Sequence, residues 1–244
     1  MVLIPKGGRV YICIGLVEVI WKVCMSIVNN RLQISITLHD TLHGFSKGGR
    51  MKTTIIEAKL AHQLAGIVHE QLFQVFIDVR KSYNSLDRGR CMKILRRYGL
   101  RPKLQRLLKQ YWGKKGGTES REVFGSLFCM NRGVTQGDPV SLTIFNIVVD
   151  AVVRAVLLEV CGPQEAHNGF GWLAGKNNIC FYEDDGKIAG CNSIWMQTTL
   201  AAMVRMFERV GLPKNSGNTK AMVCTLGYIL VEQGAAEYKR QETG

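Results

Sequence analysis

The chain is short of acid: over 244 residues, 19 Asp and Glu stand against 32 Lys and Arg, a formal net charge of +13. That deficit favours a polyanionic partner, with nucleic acid ahead of an acidic membrane surface. Clustered cysteine is also missing. The eight cysteines, at 13, 24, 91, 129, 161, 180, 191 and 224, form no Cys-x-x-Cys pair and no Cys/His set with zinc-finger spacing. A zinc module is thereby excluded, and reduced, mostly buried thiols of a cytosolic or nuclear protein are expected. Nor is there a long uninterrupted apolar run. The first candidate, Val10 to Val28, is broken by Glu18 and Lys22, which points to a buried helix and not to a membrane span. The N-terminus lacks the small-residue cleavage site of a secretory signal, so an intracellular protein, nuclear or cytoplasmic, is expected. No segment repeats at a fixed period, and no low-complexity linker divides the chain.

What is present is the composition of a folded protein, 46% hydrophobic and 21% charged. Val17 to Leu32 reads as a helix with Val17, Ile20, Trp21, Cys24, Ile27 and Val28 on one face. A glycine-rich basic stretch follows, from His43 to Lys52, and then a second helical pattern from Thr53 to Val68 on Ile56, Leu60 and Leu64. The period then changes to two. Phe73, Val75, Ile77 and Val79 alternate with Gln74, Phe76, Asp78 and Arg80, so Asp78 belongs near a strand end on the face opposite Val75 and Ile77. Arg90 to Leu100 and Pro102 to Trp112 return to helical spacing, with Lys and Arg on their polar sides, and Val123 to Met130 reads as a hairpin arm. Asp138-Pro139 is the clearest helix start, a capping side chain before a proline suited to the first turn. That helix should run to about Val160 on a broad apolar stripe, with Asp150 and Arg154 as an i,i+4 pair. Short strands are expected on both sides of Glu183-Asp184-Asp185-Gly186, then a helix from Gln197 to Val210 ended by Gly211, and a last strand from Thr219 to Thr225. This order predicts an α+β architecture, a mixed or antiparallel sheet with helices on one face.

Asp78 at a strand end, with Asp184 and Asp185 at a hairpin tip, supplies three carboxylates to a rigid platform. Nucleotidyl transfer needs such groups to hold two divalent ions about 4 Å apart. Taken alone, adjacent aspartates at a turn are more often plain solvated turn formers.

Three longer motifs add to this. Phe76-Ile77-Asp78-Val79-Arg80-Lys81-Ser82-Tyr83 resembles the first catalytic motif of reverse transcriptases. The stretch Asn131-Arg132-Gly133-Val134-Thr135-Gln136-Gly137-Asp138-Pro139-Val140-Ser141 resembles their template-and-nucleotide motif, and Phe181 to Gly186 their Tyr-x-Asp-Asp motif. The likeness runs in order from about Val10 to Val223 and has the flavour of retroelements without long terminal repeats, or of group II intron enzymes. It implies a right-hand polymerase: fingers at 1–72, palm at 73–225 with an insertion around 101–130, and a tail at 226–244 too short for a helical thumb. It implies Asp78, Asp184 and Asp185 as ligands of two magnesium ions, with manganese as the alternative. Tyr83 would exclude a ribose 2′-hydroxyl, Gln136 and Gly137 would lie against the nascent base pair, and Lys47, Arg50 and Lys52 would be fingers residues near triphosphate or template. Lys220, two residues beyond the position where the family carries its lysine, would protonate the pyrophosphate leaving group. The implied partners are an RNA template, a DNA or RNA primer, deoxynucleotides and the remaining domains of a larger retroelement protein. Glu183 departs from the pattern, standing where a small residue is usual and adding a fourth negative charge. Asn84, Leu142 and Asn218 depart as well. The alternative reading is a non-catalytic, nucleic-acid-binding remnant of such an enzyme. An RNA-dependent RNA polymerase is disfavoured by Tyr83 and by the absence of a Gly-Asp-Asp triplet.

Overall fold

A computed structural model describes residues 2–7, 10–14, 19–44, 51–67, 71–79, 82–113, 119–120, 123–124, 132–162, 177–212, 219–225, 228–233 and 238–242. In chain order the elements are β1 (Val2–Gly7), β2 (Val10–Ile14), α1 (Val19–Ser35), α2 (Met51–Ile67), β3 (Leu72–Asp78), α3 (Ser82–Ser85), α4 (Arg88–Arg97) and α5 (Pro102–Trp112). They continue with β4 (Glu119–Ser120), β5 (Val123–Phe124), α6 (Pro139–Cys161), β6 (Asn177–Tyr182), β7 (Asp185–Gly190), α7 (Ser193–Arg209), β8 (Lys220–Thr225), β9 (Tyr228–Gln233) and β10 (Tyr238–Glu242). The chain divides into two compact units, Met1–Thr37 with Lys81–Val148, and Leu38–Arg80 with Val149–Gly244.

The second unit is built on a six-stranded sheet in the order β10-β9-β8-β3-β7-β6. Every pair is antiparallel, and β3, the strand of period two, lies between β7 and β8. Alternation gives the sheet two faces. One carries Val75, Ile77, Ile188 and Phe181, and α7 packs there through Phe207, whose ring meets Phe181 edge-on at 5.7 Å. On the other face Leu72, Ala189 and Met222 pack beneath Ala61 and Ala65 of α2. Helices therefore touch both faces. The expected apolar stripe of α2 is not its buried one: Ile56 and Leu60 are exposed, and two alanines make the contact. Small side chains let the helix approach the strands closely, a preference that a count of large apolar residues misses. Residues 226–244, expected as a short tail, contribute β9 and β10; Tyr-Lys-Arg-Gln-Glu of β10 has no hydrophobic period to announce it.

The first unit holds the β1–β2 hairpin, α1, α3, α4, α5 and the short β4–β5 pair. In α1, Met25, Val28 and Leu32 are buried, while Ile20, Cys24 and Ile27, assigned to the packed side from sequence, are exposed. A helix apolar on two sides offers two candidate faces, and periodicity cannot choose between them. Helix α6 begins in this unit and ends in the other. Its stripe, from Ile144 through Val148 and Val152 to Leu157, is fully enclosed. Among the described residues no helix is long and apolar enough to cross a membrane. Of the described free cysteines, Cys91 and Cys180 are buried and Cys24 is exposed. Burial, then the charge of Asp87, pushes the Cys91 thiol up to about 12, which leaves it unreactive.

Candidate active site

In the second unit Asp78, the last residue of β3, lies directly opposite Asp185, the first residue of β7. Opposed residues of an antiparallel pair project to the same face with Cβ atoms about 5 Å apart, so two carboxylates stand side by side. Tyr182 faces Asp185 from β6, which leaves Glu183-Asp184 as a two-residue loop. The hairpin tip is therefore two residues shorter than the expected Glu183 to Gly186, and Asp185 and Gly186 are strand residues. Gly186 must be glycine here, because a Cβ would overlap the ring of Phe181 across the ladder.

The negative charge is concentrated. Loss of hydration, then the charges of Asp184 and Asp78, pushes the Asp185 carboxyl above its ordinary value. Among the described residues no three acidic, histidine or cysteine side chains are gathered into a closed ligand set. Asp185 feels the charges of Asp184 and Asp78 without the three forming such a set.

One rung inward on the same face, Phe76 is opposed by Lys187 on β7 and by Lys220 on β8. Lys220, marked by its sequence motif, is exposed one rung from Asp78. Lys187 carries no such motif; it is only 5% exposed and lies two residues from Asp185. A two-residue loop would have revealed it, since strand alternation then carries the face of Asp185 to Lys187.

The segment Thr41 to Gly44 lies along the outer edge of β6. Phe181 donates its N–H to the Thr41 carbonyl at 2.8 Å, and His43 donates to the Phe181 carbonyl at 2.9 Å. Gly44 sits against the tip itself, where a Cβ would come within 2.6 Å of the Glu183 nitrogen. Asp150 anchors this segment from α6: it accepts the His39 N–H at 2.6 Å and pairs with Arg154 at 2.7 Å, the i,i+4 pair expected from sequence. Neither Gly44 nor His39 has a sequence signal beyond its place beside the basic stretch. Lys47 and Arg50 lie outside the described residues, as does the side chain of Lys52 at the start of α2.

The first unit gathers the other motif residues. Tyr83, in α3, is buried with its ring 4.9 Å from Phe145. The carbonyl of Tyr83 accepts the Val134 N–H at 2.7 Å, and Gly133 donates to Leu86 at 2.8 Å. Gly133 has φ +77, and a Cβ there would lie 2.6 Å from the Tyr83 oxygen, so only glycine fits. Gln136 and Gly137 form a turn, with Gly137 at φ +96 and exposed. Asp138 follows as the helix cap, accepting the Val140 N–H at 3.4 Å and the Ser141 hydroxyl at 3.3 Å.

Two side chains outside the sequence motifs clamp this loop. Arg88 donates to the Gly133 carbonyl and to the Trp112 carbonyl, each at 2.7 Å, with its guanidinium over the Trp112 ring. Tyr111 donates to the Asp138 carboxylate and accepts from Thr135. Burial, then the Asp138 charge, pushes the Tyr111 hydroxyl up to about 12, while burial raises Asp138 despite its hydrogen bonds. Both residues are legible only as parts of basic or amphipathic helices.

An antiparallel sheet with helices against both faces and paired carboxylates at one strand end defines an α+β palm of the nucleic-acid polymerase type. Solved structures share it: the telomerase of Candida tropicalis superposes with a TM-score of 0.59 over 89% of this chain and 37% of that one, at 12% identity. The telomerase of Candida albicans gives 0.52 over 91% and 37%, at 14% identity. Residues 4–238 match the family described as reverse transcriptase (RNA-dependent DNA polymerase), and the chain belongs to that family. A similar curated protein is the retrovirus-related Pol polyprotein from type-1 retrotransposable element R2 of Popillia japonica, 24% identical over 231 residues, or 88% of this chain and 30% of that one. Its counterpart in Nasonia vitripennis is 33% identical over 142 residues, 58% of this chain and 13% of that one. The type-2 R2DM protein of Drosophila melanogaster is 28% identical over 197 residues, 78% and 17%. The chain thus spans less than a third of the length of these relatives.

Proposed function

We propose that this chain is the fingers-and-palm core of a retroelement RNA-directed DNA polymerase, with Asp78, Asp184 and Asp185 holding two magnesium ions. The observation that carries this reading is the Asp78–Asp185 rung, with Asp184 in the adjoining loop. The donor set is all carboxylate oxygen, which suits magnesium or manganese, and the charge crowding that raises Asp185 is what a cation would relieve. Divalent ions bound there would supply activation of the primer 3′-hydroxyl and charge neutralisation on the triphosphate.

The chain's own residues do the positioning. Asp78 and Asp185 orient the reacting groups from a rigid sheet, and Lys220 gives a proton to the departing pyrophosphate. Tyr83 closes the sugar site to a 2′-hydroxyl, Gln136 and Gly137 lie against the nascent base pair, and Lys47, Arg50 and Lys52 hold template or triphosphate. We assign residues 1–72 to fingers and 73–225 to palm with an insertion around 101–130; residues 226–244 continue the palm sheet as β9 and β10 in place of a tail. RNA template, DNA or RNA primer and deoxynucleotides are the partners; the greater length of the relatives supports further domains as well.

Extension of an oligo(dT) primer on an RNA template with magnesium tests the assignment. The unmodified chain is expected to extend the primer and the Asp184→Ala protein to lose that activity; equal activity in both sinks it. A second reading, a non-catalytic nucleic-acid-binding remnant, is favoured by Glu183, an extra acid in the loop beside the carboxylates. The polymerase reading expects Glu183→Ala to raise extension, whereas the remnant reading expects none from either protein.

A further inference from the structure

Nine cations and no acidic residue lie between Arg88 and Gly113. This one helical pair therefore carries +9 of the chain's +13. Arg88 points inward to the Gly133 and Trp112 carbonyls. The other eight, from Arg90 to Lys109, are all exposed.

Their arrangement follows from how the two helices bury themselves. Helix α4 turns Cys91, Met92 and Leu95 inward, and α5 turns Leu108 and Trp112 inward. Lys93, Arg96 and Arg97 therefore fall on the outer side of one helix, and Lys103 and Arg106 on the outer side of the other. Arg96 donates to the Gln105 side chain at 2.9 Å, and Gln105 donates to the Leu100 carbonyl at 2.6 Å. The two helices are thus laced together beside the Tyr98–Arg101 turn, and their cations share one surface. Repulsion among so many like charges costs stability unless an anion offsets it. A solvated face of an ordinary domain mixes both signs; here the one acid at hand is Asp87, which caps α4 and pairs with Arg90 at 3.9 Å, at the end of the patch.

We propose that the exposed face of the α4–α5 pair is a docking surface for RNA, gripping the sugar–phosphate backbone without regard to sequence. Single-stranded RNA is the occupant that the charge fits and that an RNA-dependent family handles. The surface is formed by residues of the first unit alone and needs no turnover, so it goes beyond the polymerase reading. Each lysine or arginine contributes little by itself, but a row of them releases condensed counterions together, and affinity then depends steeply on salt.

The test is fluorescence anisotropy of a labelled oligouridylate titrated with the full chain at several salt concentrations. The variant is Arg96→Gln/Arg97→Gln/Lys103→Gln/Arg106→Gln, with the exposed Lys59→Gln of α2 as control and circular dichroism to confirm folding. Each phosphate that a variant no longer neutralises should lower the slope of log K against log salt by about 0.7, hence by roughly 3 for the four. If the fourfold variant does not fold, Lys93→Gln/Lys103→Gln serves, with an expected fall of roughly 1.4. An unchanged slope and affinity, or a fall equal to that of Lys59→Gln, overturns the proposal. So does a loss confined to phosphatidylserine vesicles or to duplex DNA, with RNA binding intact. An Asp185→Asn protein should keep the full slope. Absent primer extension by the unmodified chain, with its salt slope retained, would count against the polymerase reading and leave the docking surface standing.

Discussion

Glu183 sits at φ +57, in the left-handed region, and is the one described residue other than glycine with a positive φ. It is the first residue of a two-residue hairpin loop, where a positive φ at that position alone is the pattern of a type II′ turn and glycine is preferred. A side chain there costs about 1 kcal/mol, because Cβ crowds the backbone. Glu183→Gly is therefore expected to raise unfolding stability by about that amount in urea titration. Glu183→Ala, which keeps Cβ, should leave it nearly unchanged. The two substitutions separate strain from charge: if activity rises equally in both, the charge is what impairs the site. The neighbouring Gly44 carries the same logic from the other side, since its missing Cβ is what lets the backbone of Glu183 come so near.

At the scale of elements, the start of α6 shows how a cap can be correctly placed and still be strained. Asp138 is legible in the sequence because an acceptor side chain directly before Pro139 suits little except a helix start. Its burial at 2% exposure and its bond to Tyr111 are not, because Tyr111 is 27 positions away in a helix whose amphipathic pattern does not name that partner. Burial holds the Asp138 carboxyl above its usual value, so its protonated form is the one that folding favours. Its contribution is full below the unfolded value of about 3.9 and is lost as pH rises through the raised folded value. Relative to Asp138→Asn, the unmodified protein should therefore lose ground as pH rises above about 4, read as the difference between the two melting temperatures along a pH series.

The same contrast runs through the other elements. α5 occupies Pro102–Trp112 as expected, because proline and an unbroken amphipathic period mark both ends. α7 begins four residues before the expected Gln197. Ile194 at its start is exposed and breaks the apolar pattern, while the real signal is Asn192, whose side chain accepts from Ile194 and Trp195 at 2.9 and 3.1 Å. Asp78 is readable from alternation alone, but its pairing with Asp185 is a register, and register is set by long-range partners.

For the whole molecule, the acidic rung is a site of repulsion built into the strand ends of the largest sheet. Such sites trade stability for function. Without divalent cation, Asp185→Asn should melt higher than the unmodified chain, since it removes one of three crowded charges. Magnesium should raise the melting temperature of the unmodified chain, by roughly 2.7 kcal/mol of added stability at about a hundredfold above its Kd, and leave that of Asp185→Asn nearly unmoved. Differential scanning fluorimetry over a magnesium series checks both halves. A substitution that melts no higher and responds equally to magnesium would separate the rung from cation binding.

The Thr41–His43 segment that runs beside β6 has a consequence for how the protein survives at high concentration. An outermost strand presents a row of N–H and C=O groups that can recruit a strand from a second molecule, the first step of edge-to-edge aggregation. Phe181 already exchanges its groups with Thr41 and His43, so this stretch of the border is occupied by the chain itself, and the buried Asp150 holds the occupant in place. The same short segment thus acts as a gatekeeper for solubility, at the strand that ends in the acidic hairpin.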